Sequence, residues 1–596
     1  MILIFGGTTE GKAAVETLDG AGQPYYYSTR GTAQQVECKH GVRISGVMEQ
    51  QQMVEFCRGH EVRLLVDAAH PFAEQLHRNI AGAAEILNIP VIRYERVYPL
   101  RDPGFIWCDT YDDAVGWMEK QGVRNLLALS GVQTIPKLQA YWMKYPCWFR
   151  VLNRAESTES ALRYGFPKER LLYFDEKADE ETLFARLLPD AILTKESGES
   201  GYFEEKVGAA CKLNIPVIVI KRPVLSDTFY VVSGQHGLRH RVERLLPGFF
   251  PLNSGYTSGS CVTAAAKAAL TTLLTGGVRQ VVEITLPGGE VVELPVFATE
   301  RKGGTVICSV LKDAGDDPDV THGKEIRVSV SLADQPGIQF RRGEGVGVVT
   351  LPGLGLEVGE PAINPVPRKM MTFEIEKLLS KAGIDRGVVV EVSVPGGEEL
   401  ALKTFNPKLG IVGGISIIGT SGIVHPFSSE AFVEAIRKEM QVAKALGCKH
   451  IVINSGAKSE KVLRKRFPDL LPQAFIHYGN YIGETLKIAE EEGIERVTMG
   501  IMIGKAVKLA EGNVDTHSRN VVMNPDFIAG LAREAGCTED VCRSIFRMVL
   551  ARELWILLPE EHPFFHLLLQ RCEVVLQTLL KNCHLEIILI PESSAG

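Results

Sequence analysis

An alternation of apolar runs with amphipathic segments, continuing up to Arg244, limits the fold more than any other feature. Residues 1–5 are entirely apolar, residues 11–21 have the spacing of a helix, and residues 24–28 form a second strand-like run. Similar runs follow, among them VRLLVDAAH and IPVIVIKRP. Continuous apolar strands joined by helices indicate parallel sheets that are buried on both faces. We predict an α/β N-terminal half with two Rossmann-like parallel-sheet subdomains, residues 1–120 and 121–247.

The character of the sequence changes after Arg244. The segment LLPGFFPLNSGYTSGS contains prolines, glycines and serines without a regular period, which is typical of a junction between domains. A helical pattern over 261–272 and two alternating runs around PGG, a hairpin signal, then predict an α+β domain at 248–405. The strand–helix alternation returns afterwards, which predicts an α/β domain at 406–596.

Composition excludes several classes of partner. The net charge is -7, and no run of Lys and Arg is interleaved with aromatic residues, so we expect no nucleic acid. The longest apolar stretch, residues 410–423, is interrupted by glycines and is shorter than the roughly 20 residues that a membrane helix needs. The twelve cysteines form no CxxC pair, so no protein-bound metal is expected. We expect a cytoplasmic protein without a membrane partner; the sequence leaves the oligomeric state open, a homo-oligomer included.

A glycine-rich turn, GGTTEG, joins the first predicted strand to the first predicted helix. Glycines allow a phosphate to approach the backbone there, and the start of a helix favours an anion. At the end of the second strand, where a NAD enzyme carries an acidic residue, this chain has Ser28, Thr29 and Arg30. Hydroxyl groups and a guanidinium suit a 2′-phosphate. The residues therefore predict NADPH, with a plain tight turn as the alternative.

Two further strand ends carry polar loops. DAAHPF contains Asp67 and His70, and TKESGESG, residues 194–201, contains Lys195 and Ser197. Ligands of open α/β sheets bind at the carboxyl ends of the strands, where Lys195 would meet substrate carboxylates and Ser197 would offer a hydroxyl group. An ordinary surface turn is the alternative for DAAHPF.

In the order GGTTEG, DAAHPFA, RYER (93–96), LSG (129–131) and TKESGESG, residues 1 to about 246 resemble the precorrin-6A reductase family. The resemblance implies hydride transfer from NADPH to a carbon–carbon double bond of a tetrapyrrole macrocycle. It implies substrate contacts by Asp67, His70, Lys195 and Ser197, and cofactor contacts by Gly6, Gly7, Thr8, Glu10 and Arg30. His70 is our candidate proton donor, because imidazole titrates near neutral pH.

The second half carries long glycine-containing motifs. They are GYTSGSCVTAAAKAA (255–269), DAGDDPDVTHG (313–323), RRGEGVGVVTLPGL (341–354), GEPAINPVPRKM (359–370), NPKLGIVGGISIIGTSGIVHPFS (406–428) and DTHSR (515–519). Together they closely resemble the cobalt-precorrin-5B (C-1)-methyltransferase family from about residue 250 to the end. The resemblance implies a methyl donor, S-adenosyl-L-methionine, and a reaction that depends mostly on positioning. We predict donor contacts by Gly413, Gly414, Gly419, Thr420 and Ser421, with Gly343 and Gly345 of GEGVG as the alternative.

Candidate acid and base groups lie in the same motifs. The spacing of Asp316, Asp317 and Asp319 is similar to that of a calcium loop, but the closing glutamate of an EF-hand is missing. We therefore favour a capping turn or a substrate-facing acid or base, with Asp317 and His322 as candidates. His322, His425 or His517 would remove the proton released after methylation; a hydrogen-bonded loop histidine is the alternative for each.

The two resemblances together predict a bifunctional enzyme of cobalamin synthesis. Cobalt-precorrin-5B would be methylated at C-1 to cobalt-precorrin-6A, which would then be reduced to cobalt-precorrin-6B, with the cobalt arriving inside the substrate. Two alternatives stay open. The N-terminal half would be an NADPH oxidoreductase for another small molecule, or one half would be an inactive ligand-binding or scaffolding module.

Overall fold

A computed structural model describes residues 1–32, 34–96, 98, 101–175, 179–198, 202–517 and 521–591. The chain forms two compact units, Met1–Asn253 with Gly288–Val292, and Ser254–Pro287 with the chain from Glu293 onward. None of the helices within the described ranges has both the length and the apolar character that crossing a lipid bilayer requires.

Strands and helices alternate through the first unit. The strands are β1 (Ile2–Phe5), β2 (Tyr25–Thr29), β3 (Gly41–Ser45), β4 (Leu64–Asp67), β5 (Val91–Glu95), β6 (Ile106–Cys108), β7 (Leu126–Ala128), β8 (Cys147–Val151), β9 (Leu171–Tyr173), β10 (Ala191–Lys195), β11 (Val217–Ile220) and β12 (Phe229–Ser233). The helices are α1 (Thr9–Asp19), α2 (Gln50–Gly59), α3 (Glu74–Leu87), α4 (Tyr111–Gln121), α5 (Gln139–Trp142), α6 (Ala155–Arg163), α7 (Glu180–Leu187), α8 (Phe203–Lys212) and α9 (Gly234–Leu245).

These strands form two six-stranded sheets, β12-β5-β4-β1-β2-β3 and β6-β11-β10-β7-β8-β9. All ten neighbouring pairs are parallel, which confirms the predicted α/β N-terminal half with parallel sheets. β1 and β4 are buried along their whole length, as expected for strands covered on both faces.

The sheets differ in one respect from the division near residue 120. β6 precedes that position but belongs to the second sheet, and β12 follows it but belongs to the first sheet. β6 has only three residues, and the partner of β12 lies far away in sequence, so neither assignment was visible in the local pattern. The division into four ranges otherwise stays a prediction.

The chain from Gly255 onward contains the remaining elements. The strands are β13 (Gly255–Tyr256), β14 (Val281–Thr285), β15 (Val291–Pro295), β16 (Ala298–Lys302), β17 (Thr305–Leu311), β18 (Glu325–Ala333), β19 (Ile338–Arg342), β20 (Val348–Val349), β21 (Gly387–Ser393), β22 (Ile411–Val412), β23 (Ile423–Val424), β24 (His450–Asn454), β25 (Phe475–His477), β26 (Arg496–Met502) and β27 (His584–Ile590). The helices are α10 (Ser258–Thr275), α11 (Pro365–Ala382), α12 (Gly397–Ala401), α13 (Ser429–Ala445), α14 (Ala457–Arg466), α15 (Ile482–Glu491), α16 (Ile503–Ala510), α17 (Pro525–Glu534), α18 (Glu539–Ile545), α19 (Leu554–Leu557) and α20 (Pro563–Gln577).

Two larger sheets organise this part of the chain. A five-stranded sheet, β16-β17-β18-β21-β19, is antiparallel except for the β19–β21 pair. The buried helix α10 packs against β17 and β18, and it begins three residues before the predicted helix because Thr257 caps it by accepting the N–H of Ser260. A four-stranded parallel sheet, β25-β24-β26-β27, follows.

Candidate cofactor and substrate sites

A cleft of about 740 Å³ lies in the first unit at the carboxyl ends of β1, β2 and β4. Seven residues that the sequence singled out line it: Gly6, Gly7, Thr8, Ser28, Thr29, Arg30 and His70. The carboxyl ends of adjacent parallel strands share one edge of the sheet. Loops that are separate in the sequence are therefore brought together into one cleft.

The turn after β1 is held open towards the cleft. Thr8 Oγ1 accepts the N–H of Gly11 at 3.1 Å, which caps α1, and donates to the carbonyl oxygen of Ala68 at 2.7 Å. The N–H of Gly7 donates to the Tyr27 hydroxyl at 3.0 Å. Gly7 has a φ of 101°, and a Cβ at this position would meet no atom within 4 Å. Glycine is thus required here by the backbone conformation and leaves its face accessible to a ligand.

Two guanidinium groups flank the loop after β2. Arg30 is exposed at the cleft, as the 2′-phosphate interpretation requires. Arg43, on the neighbouring strand β3, donates to Thr29 Oγ1 at 3.4 Å and to the carbonyl oxygen of Gly31 at 3.3 Å. The sequence did not single out Arg43, because the GVRIS run was not among the predicted strands.

Asp67 was expected to face the substrate, and the structure corrects this expectation. The carboxylate is fully buried: Oδ1 accepts from Arg93 Nη1 at 2.8 Å, and Oδ2 pairs with His77 Nδ1 at 2.6 Å. Arg93 also pairs with Glu95 at 3.0 Å. Asp67 therefore anchors the loop from below and does not reach the cleft. His77 lies three residues before Ile80 on α3, and both are buried. The helical spacing of these two residues indicates that His77 is on the buried face of the helix.

His70 lines the cleft among groups that disfavour its protonated form. Its Nδ1 accepts the N–H of Phe72 at 3.1 Å. Desolvation, followed by the positive charges of Lys195 and Arg96, lowers the pKa of His70 to about 4. A neutral imidazole is a weak proton donor at pH 7, so the environment of His70 argues against the role expected for it.

Lys195 lies beside the aromatic ring of Phe72. Its Nζ is 5.0 Å from the centre of the Phe72 ring, and burial, together with the charge of Lys137, lowers the pKa of Lys195 to about 8. Lys137 lines the cleft and belongs to a short 3₁₀ turn that carried no sequence signal. Lys137 thus brings positive charge to the cleft lining, and Lys195 lies beside Phe72 at its edge, where a substrate with carboxylates would bind.

The other predicted residues of this half lie outside the cleft lining. Glu10 pairs with Arg96 at 2.8 Å, and both side chains are largely buried. Ser197 is half-buried in the loop after β10. Residues 199–201 of the TKESGESG motif lie outside the described residues.

In the second unit, the two glycine loops that were alternatives for the methyl donor pack against each other. The N–H of Ile415 donates to the carbonyl oxygen of Gly345 at 2.9 Å, and the N–H of Gly345 donates to Glu398 Oε1 at 2.8 Å. A Cβ at Gly414 would overlap the backbone of Gly345, and a Cβ at Gly345, whose φ is 69°, would overlap the carbonyl oxygen of Val394. Close backbone packing therefore explains why both positions are glycine.

The remaining loop residues differ in how accessible they are. Gly413 is exposed, and a Cβ there would lie 3.5 Å from Arg342 Nη2. Thr420 is exposed, whereas Ser421 donates to the carbonyl oxygen of Ile423 at 3.1 Å. Two glycines face other side chains: a Cβ at Gly419 would overlap Thr257, and a Cβ at Gly343 would overlap Ser393.

Asp317 and His425 lie where the 313–323 loop meets residues 423–428, and His322 belongs to the same 313–323 loop. Asp317 Oδ2 accepts the N–H of Phe427 at 3.1 Å, and His425 lies in the same turn as Phe427. His322 Nδ1 accepts the N–H of Ala314 at 3.1 Å. In the part of the chain that the structure describes, no group of three or more His, Cys, Asp or Glu side chains is arranged to hold a metal ion.

His517 lies in a different loop. Its N–H donates to Asp515 Oδ1 at 3.0 Å, and the preceding residue, Thr516, donates its N–H to the carbonyl oxygen of Asn480 at 3.1 Å. Residues 518 and 519 of the DTHSR motif lie outside the described residues.

Comparisons with known proteins match both halves. The family described as "Precorrin-6x reductase CbiJ/CobK" matches residues 1–241, "CbiD" matches 248–426, and "CbiD, C-terminal domain" matches 515–595. A "Cobalt-precorrin-5B C(1)-methyltransferase" of Prosthecochloris aestuarii is 48% identical over 345 residues, which is 57% of this chain and 94% of that protein. A protein of the same name from Geobacillus kaustophilus is 46% identical over 323 residues, 54% of this chain and 87% of that protein.

Two solved structures are also similar. A "CobK precorrin-6A reductase" is 22% identical with a TM-score of 0.35, covering 42% of this chain and 98% of that chain. A cobalamin biosynthesis protein (cbiD) from Archaeoglobus fulgidus is 30% identical with a TM-score of 0.25, covering 48% of this chain and 85% of that chain.

Proposed function

Because the chain belongs to the cobalt-precorrin-5B C(1)-methyltransferase family and carries a precorrin-6x reductase domain before that region, we propose that it catalyses two consecutive steps of cobalamin synthesis. In the first, cobalt-precorrin-5B is methylated at C-1 to cobalt-precorrin-6A with S-adenosyl-L-methionine. In the second, cobalt-precorrin-6A is reduced to cobalt-precorrin-6B with NADPH. The two reactions share an intermediate, so the fusion raises its effective concentration at the second site.

The cleft of the first unit is the observation that carries the reductase proposal. Gly7 leaves open space beside the first turn of α1, and Arg30 and Arg43 bring positive charge to the loop after β2. A pyrophosphate fits the space beside Gly7, and a 2′-phosphate fits the loop with Arg30 and Arg43. NADPH supplies the hydride, and the chain orients the two reactants. Lys195 and Lys137 face the carboxylates of the macrocycle, and Lys195 is better suited than His70 to deliver a proton near neutral pH.

For the methyl donor, we propose the exposed side of the 413–421 loop. Gly413 and Thr420 are accessible there, while Gly345 and Gly414 support the loop through backbone packing. S-adenosyl-L-methionine supplies the methyl group, and the loops hold the donor and acceptor in line. The proton released from the macrocycle passes to one of the three candidate histidines of this half, His322, His425 or His517. We further propose an α+β domain at 248–405 and an α/β domain at 406–596 for this half.

The cytoplasm is the proposed location. All twelve cysteines are free thiols, and disulfides are rare in the reducing cytosol.

The reaction sequence is tested with the purified full-length chain. It receives cobalt-precorrin-5B and S-adenosyl-L-methionine, and then NADPH, under anaerobic conditions. Mass spectrometry should show the gain of one methyl group and, only after NADPH is added, of two hydrogens. Failure of the first gain would reject the methyltransferase proposal, and failure of the second would reject the reductase proposal.

The cofactor is tested with Arg30→Asp. Loss of a charge-assisted contact to the 2′-phosphate should weaken NADPH binding by about 10- to 100-fold and NADH binding much less. Arg58→Asp, an exposed arginine outside the cleft lining, is the matched control and should leave both affinities unchanged. Isothermal titration calorimetry measures both cofactors. An equal loss for NADH and NADPH would show that Arg30 does not bind the 2′-phosphate.

A further inference from the structure

Phe427 is an exposed aromatic residue with a left-handed backbone. Its φ is 56°, and 71% of its surface is exposed to solvent. Bulky L residues avoid this conformation because Cβ approaches the following carbonyl oxygen. Backbone strain of this kind is retained where the surrounding structure imposes it, often at a functional site.

A residue of another loop holds the backbone of Phe427 by a hydrogen bond. Asp317, which lies 110 positions earlier in the chain, accepts the N–H of Phe427 with Oδ2 at 3.1 Å. A carboxylate that accepts a backbone N–H forms one of the stronger hydrogen bonds. The turn is therefore held from outside, by a residue of the 313–323 loop.

Helix packing does not account for the position of Phe427. The residue precedes Ser428, the N-cap of α13, where an apolar side chain often packs against the fourth residue of the helix. Here that fourth residue, Phe432, contacts Tyr481 with ring centres 5.4 Å apart, while Phe427 stays exposed. Ser428 caps the helix with its own hydroxyl group by accepting the N–H of Ala431 at 3.2 Å. The helix start is thus complete without the Phe427 side chain.

An exposed ring at this place suits a broad conjugated ligand. Methyl transfer to a ring carbon requires the donor to approach perpendicular to the ring, so the macrocycle needs support on its other face. Ile418, in the same 418–428 segment, is also half exposed, so this segment presents a second apolar side chain to solvent. Aromatic rings stack on conjugated systems with a geometry that fixes the plane of the ligand.

We infer that Phe427 is the stacking platform for the tetrapyrrole macrocycle in the methyltransferase half, and that Asp317 is the positioning residue that holds it. This inference rests on the proposed function. It changes the expectation for Asp317, because a residue that fixes Phe427 acts through that side chain instead of exchanging protons with the substrate.

The test compares Phe427→Gly with Phe427→Tyr in the full-length chain. Glycine accepts the backbone conformation, so its melting temperature should equal or exceed that of the unaltered chain, while KM for cobalt-precorrin-5B rises about tenfold. KM for S-adenosyl-L-methionine and the NADPH-dependent activity should not change. Phe427→Tyr, the matched control, retains the ring and should retain KM.

The outcomes separate the platform from the reaction itself. An unaltered chain that does not methylate cobalt-precorrin-5B would reject the proposed function and the platform with it. Methylation by the unaltered chain, combined with an unchanged KM in Phe427→Gly, would reject the platform alone. A lower melting temperature of Phe427→Gly would also reject it, because it would assign Phe427 to the packing of the fold.

Asp317 is tested by two substitutions that differ in hydrogen bonding. Asp317→Asn keeps an oxygen that accepts the Phe427 N–H and should keep KM and kcat, whereas Asp317→Ala should raise KM as Phe427→Gly does. In the Phe427→Gly background, Asp317→Ala should add nothing further, since both changes remove one interaction. A loss of kcat in Asp317→Asn with an altered pH profile would instead show that Asp317 exchanges protons.

Discussion

Two glycine-containing loops, one in each half of the chain, use glycine in opposite ways. After β1, Gly7 has open space where a side chain would be, and the loop borders a cleft of about 740 Å³. In the second half, Gly345 and Gly414 are filled on that side by backbone atoms of neighbouring segments. Glycine-rich motifs therefore have two separate causes, access for a ligand and close packing of the chain. The sequence alone does not distinguish them.

The supports beneath the loops differ as well. The loop that carries His70 is held by the buried carboxylate of Asp67 between Arg93 and His77. The loop that carries Gly413 is held by backbone hydrogen bonds between Gly345 and Ile415. Charge holds the first loop and backbone packing holds the second, so substitutions should affect them through different forces.

The largest effect is expected for Gly345→Ala. The added Cβ would overlap the carbonyl oxygen of Val394 in a left-handed backbone, which should lower the free energy of unfolding by about 4 kcal/mol. Gly413→Ala is the matched control, because its φ of 76° is similar and its Cβ would lie 3.5 Å from a flexible arginine; it should cost about 1 kcal/mol. Denaturant unfolding, with hydrogen exchange to locate the change, measures both. Equal costs would show that packing does not separate the two glycines.

Asp67→Asn should have the next largest effect. It leaves Arg93 and His77 buried without their shared anion and should lower the stability of the first unit by about 3 kcal/mol. Asp109→Asn, which removes an exposed partner of Lys221, is the control and should cost less than about 0.5 kcal/mol. Tryptophan fluorescence during denaturation reports mainly on this unit, which contains Trp107, Trp117, Trp142 and Trp148. A small loss for Asp67→Asn would mean that charge does not hold this loop.

A smaller effect concerns the pH dependence of the reduction. Lys195, whose pKa is lowered to about 8, loses its proton above that pH, so its attraction for substrate carboxylates disappears. The kcat/KM for the macrocycle should fall about tenfold for each pH unit above 8. Lys195→Arg keeps its charge and should remove this fall, with a lower kcat at every pH because a guanidinium does not deliver a proton. An unaltered chain with a flat profile through this range would contradict the role of Lys195.

The smallest effect on stability is expected for Gly7→Ala. No protein atom opposes the added Cβ, so only the backbone conformation is strained, at a cost of about 1 kcal/mol. Binding of NADPH should weaken at the same time, because the Cβ occupies space beside the pyrophosphate. Thermal unfolding and calorimetry measure the two effects. A cost as large as that of Gly345→Ala would remove the contrast between the halves.

The sequence predicted what local pattern determines. The strand–helix alternation predicted the parallel sheets of the first half, and the loops after β1, β2 and β4 supplied the seven predicted residues that line the cleft. The direction of Asp67 was wrong because it depends on partners at positions 77 and 93, which only the folded chain brings near. The packing of residue 345 against residue 414 is likewise non-local, and so is the hydrogen bond from Phe427 to Asp317. Such pairs leave no periodic signal in one sequence.

The place of β12 in the first sheet has a consequence for biosynthesis. This strand, Phe229–Ser233, pairs with β5, yet it is translated after every strand of the second sheet. The ribosome must therefore release the whole second sheet before the first can be completed. Until then the outer edge of β5 is unpaired, and its free N–H and C=O groups can form hydrogen bonds with strands of other chains. A nascent chain arrested near residue 120 should consequently aggregate or engage chaperones, whereas one arrested well beyond residue 233 should be protected.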